Sequence, residues 1–155
     1  MILTACSPGL DWREVRPDGG GVFALFPCKP EISTHKATNA EPVTMGLAQC
    51  KAVDQSFALS WAEVDDAAKV GAALGQMRLA LAGKLVAQPQ DAKPLVVPGM
   101  TPNDEAQQLA LVGVNQQARM AVFARGQRVY QAVMLGTQRN EAAWEAFLAS
   151  IKLAS

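Results

Sequence analysis

Few side chains in this sequence are suited to catalysis or metal binding. The chain has a single histidine, His35. A Ser–His–Asp hydrolase would have to use His35 as its base, and a histidine-rich metal site cannot be built from one histidine. No serine lies in a GxSxG elbow, and residues 33–36 are polar, which is typical of a solvated loop or strand. The sequence therefore predicts no catalytic residue, no metal site and no cofactor.

Two pairs of adjacent carboxylates could in principle perform acid–base chemistry. Asp65 and Asp66 precede a long helical pattern, where capping and the helix dipole both favour acidic residues. Asp104 and Glu105 follow a turn and precede a strand pattern. Neither pair is assigned a catalytic role, and we expect the chain not to be an enzyme. An enzyme whose site is assembled from scattered residues is the alternative.

Residues 3–6, Leu-Thr-Ala-Cys, resemble a bacterial lipobox, in which a branched apolar residue and two small residues precede a cysteine. In lipoproteins with this motif the thiol receives a diacylglyceryl group, the signal peptide is cleaved before the cysteine, and the new amino terminus is acylated. The resemblance implies lipidation at Cys6, with residues 1–10 as a truncated signal remnant and tether. Several acyl chains anchor a protein stably to a membrane. If Met1 is the true start, the motif is accidental and a cytoplasmic location is expected.

With Cys6 assigned to lipidation, Cys28 and Cys50 remain. Each lies in a segment that could adopt an extended conformation. Their spacing matches no CxxC or Cys/His zinc pattern. In an oxidising periplasm the expected state of such a pair is a disulfide, which would contribute about 3 kcal/mol in the chain-entropy model. Two reduced core cysteines in a cytosolic protein are the alternative.

Basic residues are concentrated in the last third of the chain. Arg119 and Arg125 have the same parity along one predicted strand, so they are expected to share a face. Together with Arg128 and Tyr130 they form a candidate binding strip. Ordinary solvent-facing charge on a strand is the alternative interpretation.

These basic residues belong to a predicted hairpin. Residues 119–125 and 128–135 are rich in apolar and β-favouring residues, and Gly126 with Gln127 provides the reversal between them. Asn140 can then cap a helix over about residues 140–151. One stripe of that helix is apolar: Ala143, Trp144, Phe147, Leu148 and Ile151.

A longer helix is predicted over about residues 66–86. Its apolar residues recur at helical spacing and should face a sheet: Val70, Leu74, Met77, Leu81 and Leu85. Three glycines, Gly71, Gly75 and Gly83, weaken this helix by up to about 1 kcal/mol each relative to alanine. We expect them to be compensated by a close approach of the helix to the sheet.

Several further segments alternate as strands, among them residues 43–53 and 57–64. The proline-rich residues 88–104 predict an exposed connection. The order of strands, helix, strands and helix predicts an α+β fold. Its expected architecture is a mainly antiparallel sheet packed against two principal helices, at about residues 66–86 and 140–151.

Composition excludes several other classes of protein. The 155 residues are 50% hydrophobic and 18% charged, which predicts one folded domain, over residues 11–155. Fourteen basic and fourteen acidic residues cancel, so there is no strong electrostatic reason to bind nucleic acid. No apolar run approaches the roughly 18 residues that span a bilayer. We therefore expect a monomer whose membrane contact is its lipid anchor.

The order of these patterns also resembles a known family. The early strand over residues 23–30, the long middle helix, the late hairpin and the closing helix are similar to the PsbP family and the Ran-binding Mog proteins. The resemblance covers about residues 20–153 and implies a PsbP/Mog-like sandwich with an accessory or binding role. It carries no diagnostic functional motif.

Taken together, these patterns predict a non-catalytic envelope lipoprotein, held on the periplasmic face by acylated Cys6. Its partner would be an envelope protein. A small-ligand-binding module that uses a groove between the long helix and the sheet is the alternative.

Overall fold

The structure, a computed structural model, describes residues 10–40 and 43–154. Of these described residues, 44% lie in strands and 20% in helices. The strands form a seven-stranded antiparallel sheet and a three-stranded sheet, and this part of the chain contains two α-helices. The predicted α+β sandwich, with a sheet packed against principal helices at about 66–86 and 140–151, is therefore wrong. The fold is mainly β. The predicted lipidation site, Cys6, lies outside the described residues.

The elements follow one another along the chain, and the longest connection between consecutive elements spans residues 95–106. The strands are β1 (Arg13–Val15), β2 (Val22–Phe26), β3 (Glu31–His35), β4 (Met45–Ala52), β5 (Gln55–Glu63), β6 (Gln88–Pro94), β7 (Gln107–Val112), β8 (Gln117–Arg125), β9 (Arg128–Gly136) and β10 (Lys152–Leu153). The helices are α1 (Val70–Leu85), which follows a 3-10 turn at Ala67–Lys69, and α2 (Glu141–Ser150). The large sheet has the order β3-β4-β5-β9-β8-β7-β6, and the small sheet has the order β1-β2-β10.

Both faces of β8 and β9, two central strands of the large sheet, are covered. On one face α1 packs through Leu74 against a cluster that contains Met120 of β8. On the other face the small sheet and α2 pack together, and the ring centroids of Phe26 and Phe147 are 5.2 Å apart. Because β8 and β9 are buried on both faces, they are nearly continuous apolar runs and do not alternate between polar and apolar residues.

The clearest missed element is β6, which lies inside the predicted connection over residues 88–104. Every residue of β6 is exposed. It contains Pro89 and Pro94, and its pairing with β7 shifts register between Gln90 and Lys93. Proline, lysine and irregular pairing are typical of edge strands because they discourage pairing with another chain. They also remove the alternation by which a strand is recognised from sequence.

The predicted hairpin and helix cap are confirmed. Arg125 pairs with Arg128 across a two-residue turn, in which Gly126 has φ +57°. The Asn140 side chain accepts a hydrogen bond from the Ala143 N–H at 3.1 Å, so it caps α2. Both features depend on neighbours in sequence, which explains why local patterns were sufficient to predict them.

The predicted approach of the three glycines of α1 to the sheet is wrong. A Cβ at Gly71 or Gly75 would lie 3.7 Å from the Glu105 side chain, in the connection before β7. A Cβ at Gly83 would meet no atom of the other described residues within 4 Å, apart from its own helix backbone and chain neighbours. Since 3.7 Å is an ordinary van der Waals separation, a methyl group fits at each position.

We expect Gly83→Ala to stabilise the protein by about 0.5–1 kcal/mol, because alanine restricts the unfolded chain and favours the helix. The free energy of unfolding in urea is the measurement. A destabilised variant would contradict the conclusion that a methyl group fits at Gly83.

Glycine is required instead beside Trp61, a buried residue of β5. Gly46 of β4 pairs directly with Trp61, and a Cβ there would overlap the indole ring. From the other side, a Cβ at Gly20 would lie 3.2 Å from the same ring. The indole therefore occupies a recess made by two glycines, one from β4 and one from the connection between β1 and β2.

Gly46→Ala should therefore destabilise the protein by about 1–3 kcal/mol, the usual cost of overpacking a buried site. The same urea measurement serves, and Gly83→Ala is the matched control because it adds the same methyl group in open space. Equal effects of the two substitutions would contradict the packing described here.

Candidate functional site

An open pocket of about 550 Å³ lies at the turn between β8 and β9. We call it the hairpin pocket. Residues from five segments of the chain meet in it, among them Gly21, Glu63, Thr101, Arg125, Arg128 and Tyr130. Because the other four segments lie outside the hairpin in sequence, the pocket is a product of the tertiary fold.

The structure brings three residues of the candidate binding strip together and separates the fourth. Arg125, Arg128 and Tyr130 line the hairpin pocket. Arg119 pairs with Met134 at the other end of the hairpin. Six residues of strand place Arg119 about 20 Å from Arg125. Between them Phe123 is fully buried, so the four residues do not form one continuous surface.

The Arg128 guanidinium is held in place from one side. Its Nη2 donates a hydrogen bond to Glu63 Oε1 at 2.6 Å. This hydrogen bond is the main reason that the pKa of Arg128 lies above its ordinary value, against the opposing effect of burial. The buried Nε has no hydrogen-bond partner among the described residues. Arg128 is therefore a positioned, permanently charged donor.

Tyr130 forms the inner wall of the hairpin pocket. Its hydroxyl donates to the Gly20 carbonyl at 2.6 Å, and its ring stacks on Phe123 with the centroids 5.3 Å apart. Burial raises the pKa of the phenol, while Arg128 acts in the opposite direction. The phenol therefore remains neutral at physiological pH and links the large sheet to the connection between β1 and β2.

Gly21 is a site residue that sequence reasoning missed. Its φ is +61°, and a Cβ there would lie 2.7 Å from Arg128 Nη1 and 3.4 Å from the Tyr130 hydroxyl oxygen. A side chain would therefore be strained and would displace the guanidinium. The run of three glycines at 19–21 was the available signal, and two of them, Gly20 and Gly21, leave space for neighbouring side chains.

The remaining groups of the hairpin pocket favour an anion. Arg125 makes one hydrogen bond through Nη1, to the Gly99 carbonyl at 3.3 Å. Thr101 Oγ1 accepts from the Gly126 N–H at 2.9 Å, so its own hydroxyl hydrogen can be donated. Two guanidinium groups and one carboxylate give the lining a net charge of +1, that is +2 − 1. Guanidinium groups in such an arrangement suit carboxylate or phosphate oxygens.

Cys28 and Cys50 lie at disulfide-bonding distance, with their Cα atoms 5.9 Å apart, as the sequence predicted. Cys28 follows β2 and Cys50 lies in β4, so the pair joins the connection between the two sheets to the large sheet. The pair lies away from the hairpin pocket, since neither cysteine lines it.

The other chemical candidates have structural roles or stay unassigned. Asp66 Oδ1 accepts from the Ala68 N–H at 2.9 Å and so caps the 3-10 turn before α1. His35 ends the edge strand β3. Within residues 10–40 and 43–154 no group of three or more His, Cys, Asp or Glu could hold a metal ion. In the same part of the chain, neither helix has the length and apolar character to cross a bilayer.

The fold and the pocket together define a mainly β domain with a basic pocket at one end of its central hairpin. No protein-family model matches the chain, and a search of curated proteins finds no match.

Tyr130 is the only tyrosine, so the absorbance of phenolate reports on one residue. Because the pKa is raised, folding favours the neutral phenol, and this contribution to stability is complete below about pH 10. It is lost as the pH rises through the raised value. We expect an absorbance midpoint above 10 in the folded protein, and Tyr130→Phe should remove the corresponding alkaline loss of stability. A midpoint at or below 10 would mean that the phenol is hydrated.

Proposed function

We propose that the chain is a non-catalytic binding protein of the bacterial cell envelope, anchored by acylated Cys6, whose hairpin pocket receives an anionic group. The observation that carries the envelope location is the pairing of Cys28 with Cys50. Disulfides persist in oxidising compartments and are rare in the cytosol. The lipobox-like residues 3–6 point to the same compartment independently.

The anionic ligand class rests on the charge and the hydrogen-bonding capacity of the hairpin pocket. Arg125 contributes a guanidinium with one hydrogen bond, and Arg128 contributes one that Glu63 orients. Orientation in advance lowers the entropy cost of binding, because the side chain is already ordered. The hydroxyl of Thr101 adds a neutral donor at the rim.

The alternative functions receive less support from these contacts. The face of α1 toward the sheet is filled by buried residues, including Val70 and Leu74, and no residue of α1 lines the hairpin pocket. A groove between helix and sheet is therefore not part of the proposal. The resemblance to PsbP and Mog proteins stays a prediction, and the proposal does not depend on it.

The proposal is tested by the intact mass and thiol content of the protein expressed from its native locus, with the upstream codons included. We expect a mass increase equal to the acyl chains, which Cys6→Ser abolishes, and a Cys28–Cys50 pair that resists alkylation until it is reduced. Cys28→Ser is the control, since it should expose Cys50 and leave the acyl mass in place. An unacylated protein with freely alkylated Cys28 and Cys50 would contradict the proposal and favour a cytosolic role.

A further inference from the structure

A second cleft lies at the other end of β8, between the chain that follows β6 and helix α2. It has a volume of about 460 Å³ and shares no lining residue with the hairpin pocket. We call it the α2 cleft. Its lining includes Lys93, Val96, Arg119, Glu141, Trp144 and Leu148.

Arg119 is the fixed centre of the α2 cleft. Its side chain is only 13% exposed. Nη1 donates to Glu141 Oε2 at 2.8 Å, and Nη2 donates to Gln108 Oε1 at 3.2 Å. The guanidinium carbon also lies 5.7 Å from the centre of the Trp144 ring. These three contacts hold the guanidinium in one orientation.

Three buried polar atoms of this cluster have no hydrogen-bond partner among the described residues. They are Arg119 Nε, Trp144 Nε1 and Glu141 Oε1. Trp144 is 1% exposed, so its N–H cannot be satisfied by bulk water. Buried polar atoms in folded proteins are nearly always paired, and unpaired ones commonly mark an absent water or ligand. Two hydrogen-bond donors and one acceptor, all on residues that line the α2 cleft, therefore have no partner among the described residues.

The charges of the α2 cleft favour a neutral occupant. Lys93 and Arg119 balance Glu141 and Glu145, so the lining has a net charge of zero, that is +2 − 2. An amide group has the complementary pattern, because its carbonyl oxygen accepts two hydrogen bonds and its N–H donates one. The apolar wall includes Val96, which is 90% exposed.

We propose that the α2 cleft binds a neutral amide that carries a branched apolar group, as a leucine- or valine-containing peptide segment does. The carbonyl oxygen accepts from Arg119 Nε and Trp144 Nε1, and the amide N–H donates to Glu141 Oε1. The apolar group lies against Val96 and Leu148. Because these three atoms are buried, the Glu141 side chain, which is 42% exposed, rotates to open them to the ligand, and its Oε1 then accepts from the amide N–H. This site is independent of the hairpin pocket and of the membrane anchor.

The test is a titration of the protein with isovaleramide and, separately, with isovalerate, its isosteric carboxylate. The indole N–H signals of Trp12, Trp61 and Trp144 are followed by NMR, and Trp144→Phe assigns the third. We expect isovaleramide to shift the Trp144 signal saturably, at concentrations of roughly millimolar order for so small a ligand. The signals of Trp12 and Trp61 should stay unchanged, which makes them internal controls.

Glu141→Gln sharpens the test because it replaces the acceptor with an amide that can present N–H groups to the ligand. We expect isovaleramide to bind this variant at least about fivefold more weakly, as a mismatched buried hydrogen bond requires. Unchanged Trp12 and Trp61 signals show that the variant is folded. Tighter binding of isovalerate than of isovaleramide, or no saturable shift of Trp144, would overturn the proposal, and the second result would assign the cluster to an ordered water.

Discussion

The structure depends on burying both faces of the central strands β8 and β9. Helix α1 covers one face, and the small sheet with α2 covers the other. Two-sided burial excludes charge from the middle of these strands, since an unpaired buried charge is costly. The arginines of the hairpin therefore lie at strand ends: Arg119 near the start of β8, and Arg125 and Arg128 at the turn. The same constraint places the two candidate binding sites at opposite ends of one hairpin.

Small residues allow the two sheets to meet. The indole of Trp61 fits between Gly20 and Gly46, and Gly21 leaves space for Arg128. The hydrogen bond from Tyr130 to Gly20 then joins the large sheet to the connection between β1 and β2. Gly20 and Gly21 are thus required by packing, and Gly21 also lines the hairpin pocket. Stability and the candidate site share the same residues here.

Local patterns predicted the features whose partners are close in sequence. The hairpin turn at Gly126 and the Asn140 cap are of this kind. The pairing of Cys28 with Cys50 was also predicted, because few cysteines remained to be paired. The fold class was wrong because β6 shows no alternation and β10 is two residues long, so the strands were undercounted. Glu63 and Gly21 were missed at the site because only contacts between distant parts of the chain bring them to Arg128.

The most direct test of the anion-binding account is a titration of the protein with inorganic phosphate, followed through the Nε–H signals of the arginines. If the hairpin pocket binds anions, phosphate should shift the Nε–H signals of Arg125 and Arg128 saturably. Arg125→Gln should weaken binding about tenfold or more, as the loss of a charge-assisted hydrogen bond requires. Arg139→Gln, an exposed arginine at the far end of the hairpin, should leave it unchanged. Equal effects of the two substitutions, or shifts that do not saturate, would contradict specific anion binding in the hairpin pocket. Arg125 and Arg128 would then be ordinary surface charges.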